Sequence, residues 1–485
     1  MEEEKELQVN AGSAGEAGRS GAKAGPVSPG KMPEPSRTTG ISRRGFIKVV
    51  GTAAVGSALA ACAPEPSGPG RQGTEAVQLV YQDWRTEWFP GMAQRMLEKF
   101  LVYQPNIRVF YTPDPENLNE KMILDFQAGT APDVMAGCCD FFPAWAQQGY
   151  LLDLRPYVEA DLDQSTISDW DPAQYQALFS SDGAQYALPK YHGALALYYN
   201  KDLFDQRNVG YPDGSWNHDD YLQAMKRLTI DRNIDGIPEI WGSMIDIGWD
   251  RLQVHVNGWG GHFVDPQDHT HSLMANPESL EALSWVRERM WTDRTMPSSL
   301  DMKSLPMREA FVQGRLAMIE DGSWSLKDIL EVAEFRIGVA PLPSGPVRKV
   351  TLATTDGFGI YAGTRSPDAA WELLKFLISP DYGRAMSSTH LLQPARASLV
   401  DDWVAEIREQ YPEKTKEMDI AAFAEGQIQG YSVTAEIFDN MAEARRLSLA
   451  AWEQIYTLGQ APVELIKEVS SGIEKAQAAT GGANP

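Results

Sequence analysis

Asp231, Asn233, Asp235 and Glu239 place side-chain oxygens at positions 1, 3, 5 and 9 of one loop, with the Ile237 carbonyl at position 7 and Gly236 at position 6. That spacing is the ligand pattern of a calcium loop, which grips a hard cation with carboxylate and carbonyl oxygens. Position 12, where a bidentate glutamate would complete the set, is Gly242. Two readings stay open, a structural calcium site or a solvated turn whose Asx side chains accept the loop's own amides. The three cysteines divide differently. Cys62 ends Leu59-Ala60-Ala61-Cys62, the pattern at which a bacterial signal peptide is cut and the new N-terminal cysteine takes a diacylglycerol. Cys138 and Cys139 are neighbours, so they form either a ring-closing disulfide or two buried thiols. Without CxxC spacing they do not make a zinc site. No GxSxG or HExxH string offers an activated nucleophile or a catalytic zinc.

Upstream of Cys62, Ser42-Arg43-Arg44-Gly45-Phe46-Ile47-Lys48 leads into an apolar stretch from Val49 to Ala61, the arrangement of a twin-arginine export signal. Residues 1–61 therefore read as a disordered extension followed by a signal peptide, and an export signal of ordinary length would need only the part from Met32. Residues 62–74, rich in Pro and Gly, read as a flexible tether to a lipid anchor that holds the protein outside the cytoplasmic membrane. The whole chain of 485 residues has a net charge of −23, and without residues 1–61 it keeps 35 basic and 60 acidic side chains, or −25. Such a surplus repels polyphosphates and sets nucleic acid aside as a partner. No run reaches the ~18 apolar residues of a membrane span. With 43% hydrophobic residues the chain can bury a sizeable core.

The elements that would position a site begin at Val77. Val77-Gln78-Leu79-Val80-Tyr81 alternates as a strand, Met92, Met96, Leu97, Phe100 and Leu101 recur at helical spacing before Pro105, and Ile107 to Tyr111 alternates again. A second helix over Leu118 to Ala128 stops at Gly129, and Pro132 to Ala136 is a short buried strand. This βαβαβ order implies right-handed crossovers and a mostly parallel sheet. Ligands then bind beyond the carboxyl ends of the strands, at Gln82-Asp83-Trp84, Thr112-Pro113-Asp114 and Gly137 to Phe142. Further on, Ser366 stands ready to cap a helix from Pro367 to Ile378 that Pro380 ends, and helical periodicity, with Phe423, Ile428 and Ile437, dominates after Asp401.

From Tyr186 to Leu203 the chain reads Tyr-Ala-Leu-Pro-Lys-Tyr-His-Gly-Ala-Leu-Ala-Leu-Tyr-Tyr-Asn-Lys-Asp-Leu. This segment occurs in order with Ala131-Pro132-Asp133-Val134, Gln148-Gly149-Tyr150-Leu151-Leu152-Asp153-Leu154, Asn257-Gly258-Trp259-Gly260-Gly261, Gly314-Arg315-Leu316-Ala317-Met318, Asp321-Gly322-Ser323-Trp324, Val339-Ala340-Pro341-Leu342-Pro343 and Ala370-Trp371-Glu372-Leu373-Leu374. The sequence thereby resembles the extracellular solute-binding proteins of the sugar-binding kind, receptor components of ABC importers, with maltose-binding protein a distant relative. The resemblance runs over about residues 76–400. It implies an α/β type II periplasmic-binding-protein fold, two lobes joined by a hinge with the ligand cleft between them. Its three crossings fall near Tyr191 to Leu197, Val350 to Asp356 and Gln393 to Leu399. Lobe 1 is then 75–192 with 355–398, and lobe 2 is 193–354 with 399–485.

The same resemblance implies the ligand groups. A sugar needs flat aromatic faces for its C–H surfaces and planar polar groups for its hydroxyls. Trp324 matches the stacking aromatic, against the alternative of lobe packing. Asp140 matches a hydroxyl acceptor, against that of an N-cap for the helix that follows. Asp83 and Trp84 end the first strand, Asp356-Gly357-Phe358 falls at the second crossing, Tyr191 lies at the first beside a His192 read as packed, and Trp249 and Trp259 sit on second-lobe loops. Phe141 and Gly137 depart from the pattern, so the sugar preference does not carry over. The implied function is a monomeric, lipid-anchored receptor that binds a carbohydrate without a cofactor and delivers it to permease subunits driven by a cytoplasmic ATPase. Two other classes compete, an exported carbohydrate-active enzyme with two carboxylates astride the glycosidic bond, and a sugar sensor for a signalling receptor.

Overall fold

A computed structural model describes residues 76–481. The twin-arginine segment and Cys62 lie outside the described residues. The first sheet has the strand order β2, β1, β3, Gly357–Ile360, β4, where β1 is Val77–Asp83, β2 Ile107–Pro113, β3 Val134–Gly137 and β4 Leu188–Pro189. β1 runs parallel to both β2 and β3, whereas Gly357–Ile360 is antiparallel to β3 and β4. Side chains alternate between two cores: Val134 and Ala136 join Leu79, Tyr81, Phe358 and Ile360 on one face, while Met135 joins Phe142, Trp145 and Tyr186 on the other. Helix Phe89–Tyr103 buries Met92, Met96 and Phe100, but Leu101 turns outward because it lies about 100° from that stripe.

The second sheet carries β5 (Leu195–Asn200) between strands Met318–Gly322 and Ile337–Ala340, both antiparallel to it. Leu195, Leu197 and Tyr199 enter one core with Trp249, Phe263 and Trp452, whereas Ala196 and Tyr198 enter another with Phe311, Trp403 and Phe423. Both faces are covered, which is why the strand reads as an unbroken apolar run. Lobe cores thus exchange chain three times, between Tyr191 and Leu195, between Leu352 and Phe358, and between Ala395 and Val400. Leu391 crosses early: its side chain joins the second lobe's core, and its carbonyl accepts Trp403 Nε1–H at 2.9 Å. Helix Pro367–Leu377 forms, but the Ser366 side chain makes no capping bond to it, and Ile428 is exposed.

The crossings are tied by buried amides. Gln174 Nε2 donates to the carbonyls of Tyr191 at 2.8 Å and Thr354 at 2.6 Å, joining the first crossing to the second. His192 lies 3.0 Å from Asp171 Oδ2 and 3.1 Å from Gln393 Nε2, which also donates to Gln427 at 3.0 Å, joining the first to the third. His192 is fully buried among these partners.

Two tryptophans expected on loops are core instead. Trp249 is buried against Phe263 and Trp452, and donates its indole N–H to the Glu436 carbonyl at 2.8 Å. Trp259 is buried edge-on to His218 at 4.5 Å. Each ring finds more apolar surface inside the lobe than at its edge, and that gain decides its place. Burial, then the neighbouring His255, hold the His218 imidazole down at about 4. An unfolded histidine titrates near ~6.5, so between those values the unfolded chain binds more protons and stability must fall as pH falls. Urea titrations from pH 7 to 4 are expected to lose about 3 kcal/mol from this group, and His218→Gln to flatten that slope; an unchanged slope would rule it out as the cause.

Candidate functional site

The carboxyl ends of β1 and β2 meet the first crossing at a buried charge cluster. Asp83 is fully enclosed: Tyr81 Oη–H and Lys190 Nζ donate to its carboxylate, and the Trp84 amide donates at 2.7 Å. Lys190 Nζ lies 3.1 Å from the Trp84 ring centroid, so one ammonium serves both a carboxylate and an aromatic face. Burial pushes the Lys190 ammonium down, and the Asp83 charge opposes that shift. Asp83 is therefore an internal counter-ion, with its oxygens taken. It orients Trp84, which stays half-buried between Tyr191 at 5.3 Å and Phe89 at 5.4 Å.

Around this pair stand two more carboxylates. Asp114, just past β2, is pushed up to about 7 by burial and then by the Asp83 charge, and its Oδ1 is buried without a hydrogen-bond partner. Asp356 is buried and pushed up to about 6, chiefly by desolvation, with Lys190 pulling the other way. Tyr191 is buried beside Asp356. Gly357 and Phe358 belong to the sheet itself, and the Phe358 ring is sealed in the first lobe's core.

The second lobe contributes Trp324 and Arg251. Trp324 packs against both lobes' cores, and the Arg251 guanidinium stacks 5.0 Å from its ring centroid. Arg251 Nη1 is buried with no hydrogen-bond partner. Gly193 makes this seat possible, since a Cβ there would come within 2.7 Å of Thr354 and 2.9 Å of Trp324. Asp140 does not cap the helix Phe141–Gln147; its carboxylate accepts from Arg445 Nε of the second lobe at 2.6 Å. Cys138 and Cys139 form a disulfide, with Cα atoms 3.7 Å apart. The lobes also leave a gap of about 620 Å³, with Pro143, Gln147 and Gln176 on one wall and Asn257, Arg348 and Glu436 on the other.

Of the expected groups, then, Asp83, Trp84, Tyr191, Asp356 and Trp324 gather at the hinge, Asp140 faces the other lobe, Gly357 and Phe358 lie in the sheet, where the Phe358 ring is 5.6 Å from Lys190 Nζ, and Trp249 and Trp259 lie in the second lobe's core. Lys190, Arg251 and Arg445 are additions, and Asp114, already named at a strand end, joins them. Lys190 was signalled by a lone charge in an apolar run, and Asp114 by its place at a strand end. Arg445, 305 residues from Asp140, left no local sign.

The calcium loop is a turn fastened to itself. Asp231 accepts the Ile234 and Gly236 amides at 2.8 and 2.9 Å, Asn233 accepts Asp235 N–H at 3.0 Å, Asp235 accepts Ile237 N–H at 2.8 Å, and Glu239 accepts Arg232 N–H at 2.7 Å. Among the described residues no three His, Cys, Asp or Glu side chains converge as a metal would require. These residues as arranged do not fit calcium.

Residues 84–384 match the family described as bacterial extracellular solute-binding protein. The maltodextrin-binding protein MdxE of Bacillus subtilis is 25% identical over 329 residues, 66% of this chain and 72% of that one. The galactooligosaccharide-binding protein of the same organism is 23% identical over 358 residues, 72% and 80% of the two chains. Among solved structures, an ABC substrate-binding protein from Listeria monocytogenes in complex with cycloalternan superposes with a TM-score of 0.69 at 23% identity, over 84% of this chain and 100% of that one.

Removing Lys190 alone strands Asp83 in an apolar wall. Lys190→Met is expected to cost about 3–5 kcal/mol in chemical denaturation, and the double variant with Asp83→Asn to recover much of it. Equal losses in single and double variants would show that the pair is not coupled.

Proposed function

Because the chain belongs to the bacterial extracellular solute-binding protein family, we propose that it is the receptor of an ABC importer. It captures a mono- or oligosaccharide between its lobes and hands it to permease subunits powered by a cytoplasmic ATPase. It acts as a monomer, anchored through a lipid on Cys62 after twin-arginine export; the lipobox and paired arginines support that address. The binding reading rests on one observation. Asp114 Oδ1 from the first lobe, next to Asp83, and Arg251 Nη1 from the second, against the Trp324 ring, are both buried and unpaired. A buried orphan acceptor and donor cost free energy that a guest with hydroxyls returns. A sugar supplies both partners, and its C–H face suits the rings. The names of the maltodextrin- and galactooligosaccharide-binding relatives support the same class of guest.

Capture follows from differential contact. The guest touches both lobes only when they are shut, so its binding free energy shifts the population toward the shut form. No bond in the guest is broken. One observation favours a second reading, hydrolysis: Asp114 and Asp356 are raised toward neutrality as a catalytic acid would be. Against it, Asp356 is enclosed beside Tyr191.

Calorimetry against maltotriose, galactotriose and cellotriose is expected to find a ligand that chromatography recovers intact after prolonged incubation; cleaved sugar would transfer the case to the hydrolase. Trp324→Ala removes roughly 80 Å² of stacking, about 2 kcal/mol, and should weaken binding roughly 30-fold without unfolding the chain. Unaltered affinity would take Trp324 out of the site.

A further inference from the structure

We propose that the Cys138–Cys139 disulfide is itself a ligand platform, a small apolar floor on which the sugar's C–H face rests; this rests on the carbohydrate-receptor reading above. Strand register fixes where it lies. β3 is paired to β1 with Gln82 opposite Met135, so Asp83 and Trp84 run alongside Ala136 and Gly137. On the other side Gly357 is opposite Gly137, which puts Asp356 alongside Cys138. The disulfide therefore closes the carboxyl edge of the sheet between Trp84 and Asp356. The next residue, Asp140, reaches across to Arg445, so this short segment faces the second lobe.

The segment is open to solvent. Cys139 is exposed and Cys138 half-buried, unusual for residues that normally bury their sulfur. Cys139 also holds φ at 60°, a left-handed backbone that side chains other than glycine rarely adopt. Below, the Phe142 ring fills the space beside Gly137, where a Cβ would come within 2.5 Å of it, so the segment rests on a packed base. Two joined sulfurs carry no hydrogen-bond donor, are polarisable, and have lost the rotamer freedom of separate thiols. They offer a guest a stiff, polarisable apolar contact. With Trp84 on one side and Asp140 on the other, the floor sets apolar surface beside an acceptor.

Reduction removes the floor. A dithiol such as dithiothreitol supplies two electrons and two protons, the Sγ–Sγ bond breaks, two S–H groups form, and the dithiol closes to its own cyclic disulfide. The test titrates maltotriose, galactotriose and cellotriose into the oxidised protein, the dithiothreitol-reduced protein and Cys138→Ser/Cys139→Ser, with far-ultraviolet circular dichroism reporting the fold. It also follows the rate of reduction with and without saturating amounts of whichever of these sugars binds. Affinity is expected to fall at least tenfold on reduction, with the fold retained, and to return on reoxidation. The bound sugar should slow reduction at least tenfold. That protection is the readout a purely structural disulfide remote from the guest would not give. If a sugar binds the oxidised form and reduction proceeds as fast in its presence, the platform is overturned while the receptor reading stands. If none of the three binds the oxidised form, the platform falls for these sugars, and the receptor reading falls for the same three.

Discussion

The junction between the lobes depends on Lys190. Its ammonium, cut off from water, lies between the Asp83 carboxylate and the Trp84 ring, and thereby fastens the end of β1 to the chain as it leaves the first lobe. An unpaired charge in that position would cost several kcal/mol, so the pair forms together or the junction does not close. Once closed, it determines where Trp84 points and leaves Asp114 and Asp356 to share what remains of one cation's field. Two carboxyls pushed up at a lobe junction are chiefly the result of burial, which the Lys190 charge only partly offsets.

The junction is at once rigid and openable. Gln174 and Gln393 bond the three crossings through buried amides, which fixes how the strands pass one another. Across the mouth, by contrast, the contact is the partly exposed Asp140–Arg445 pair. A pair of that exposure contributes on the order of 0–1 kcal/mol, little enough for a guest's hydroxyls to replace. Strong bonds run along the hinge axis and weak ones across the cleft, the distribution a closing receptor requires.

Several features were readable without coordinates because they depend on local chemistry. The βαβαβ order, the helix that ends at Gly129, and the apolar run of β5 follow from periodicity and from the left-handed backbone that glycine permits. The strand-end rule pointed to Asp83, Trp84, Asp114 and the Gly137 to Phe142 segment. A turn with Asx residues at alternate positions was also visible between Asp231 and Glu239, but the same oxygens suit calcium or backbone amides, and spacing alone does not choose between them.

What the chain dictated by itself was therefore the alternation, the breaks between elements and the residue types at the strand ends, since each is decided by neighbours within a few positions. Tertiary structure decided which of those groups remain available. Asp83 met Lys190 107 residues away and was used up. Trp249 and Trp259 found deeper burial than any loop offers, and Asp140 met an arginine from the far end of the chain. Burial and pairing of charge are sums over every neighbour in space, and a linear pattern contains no term for neighbours that only folding brings together.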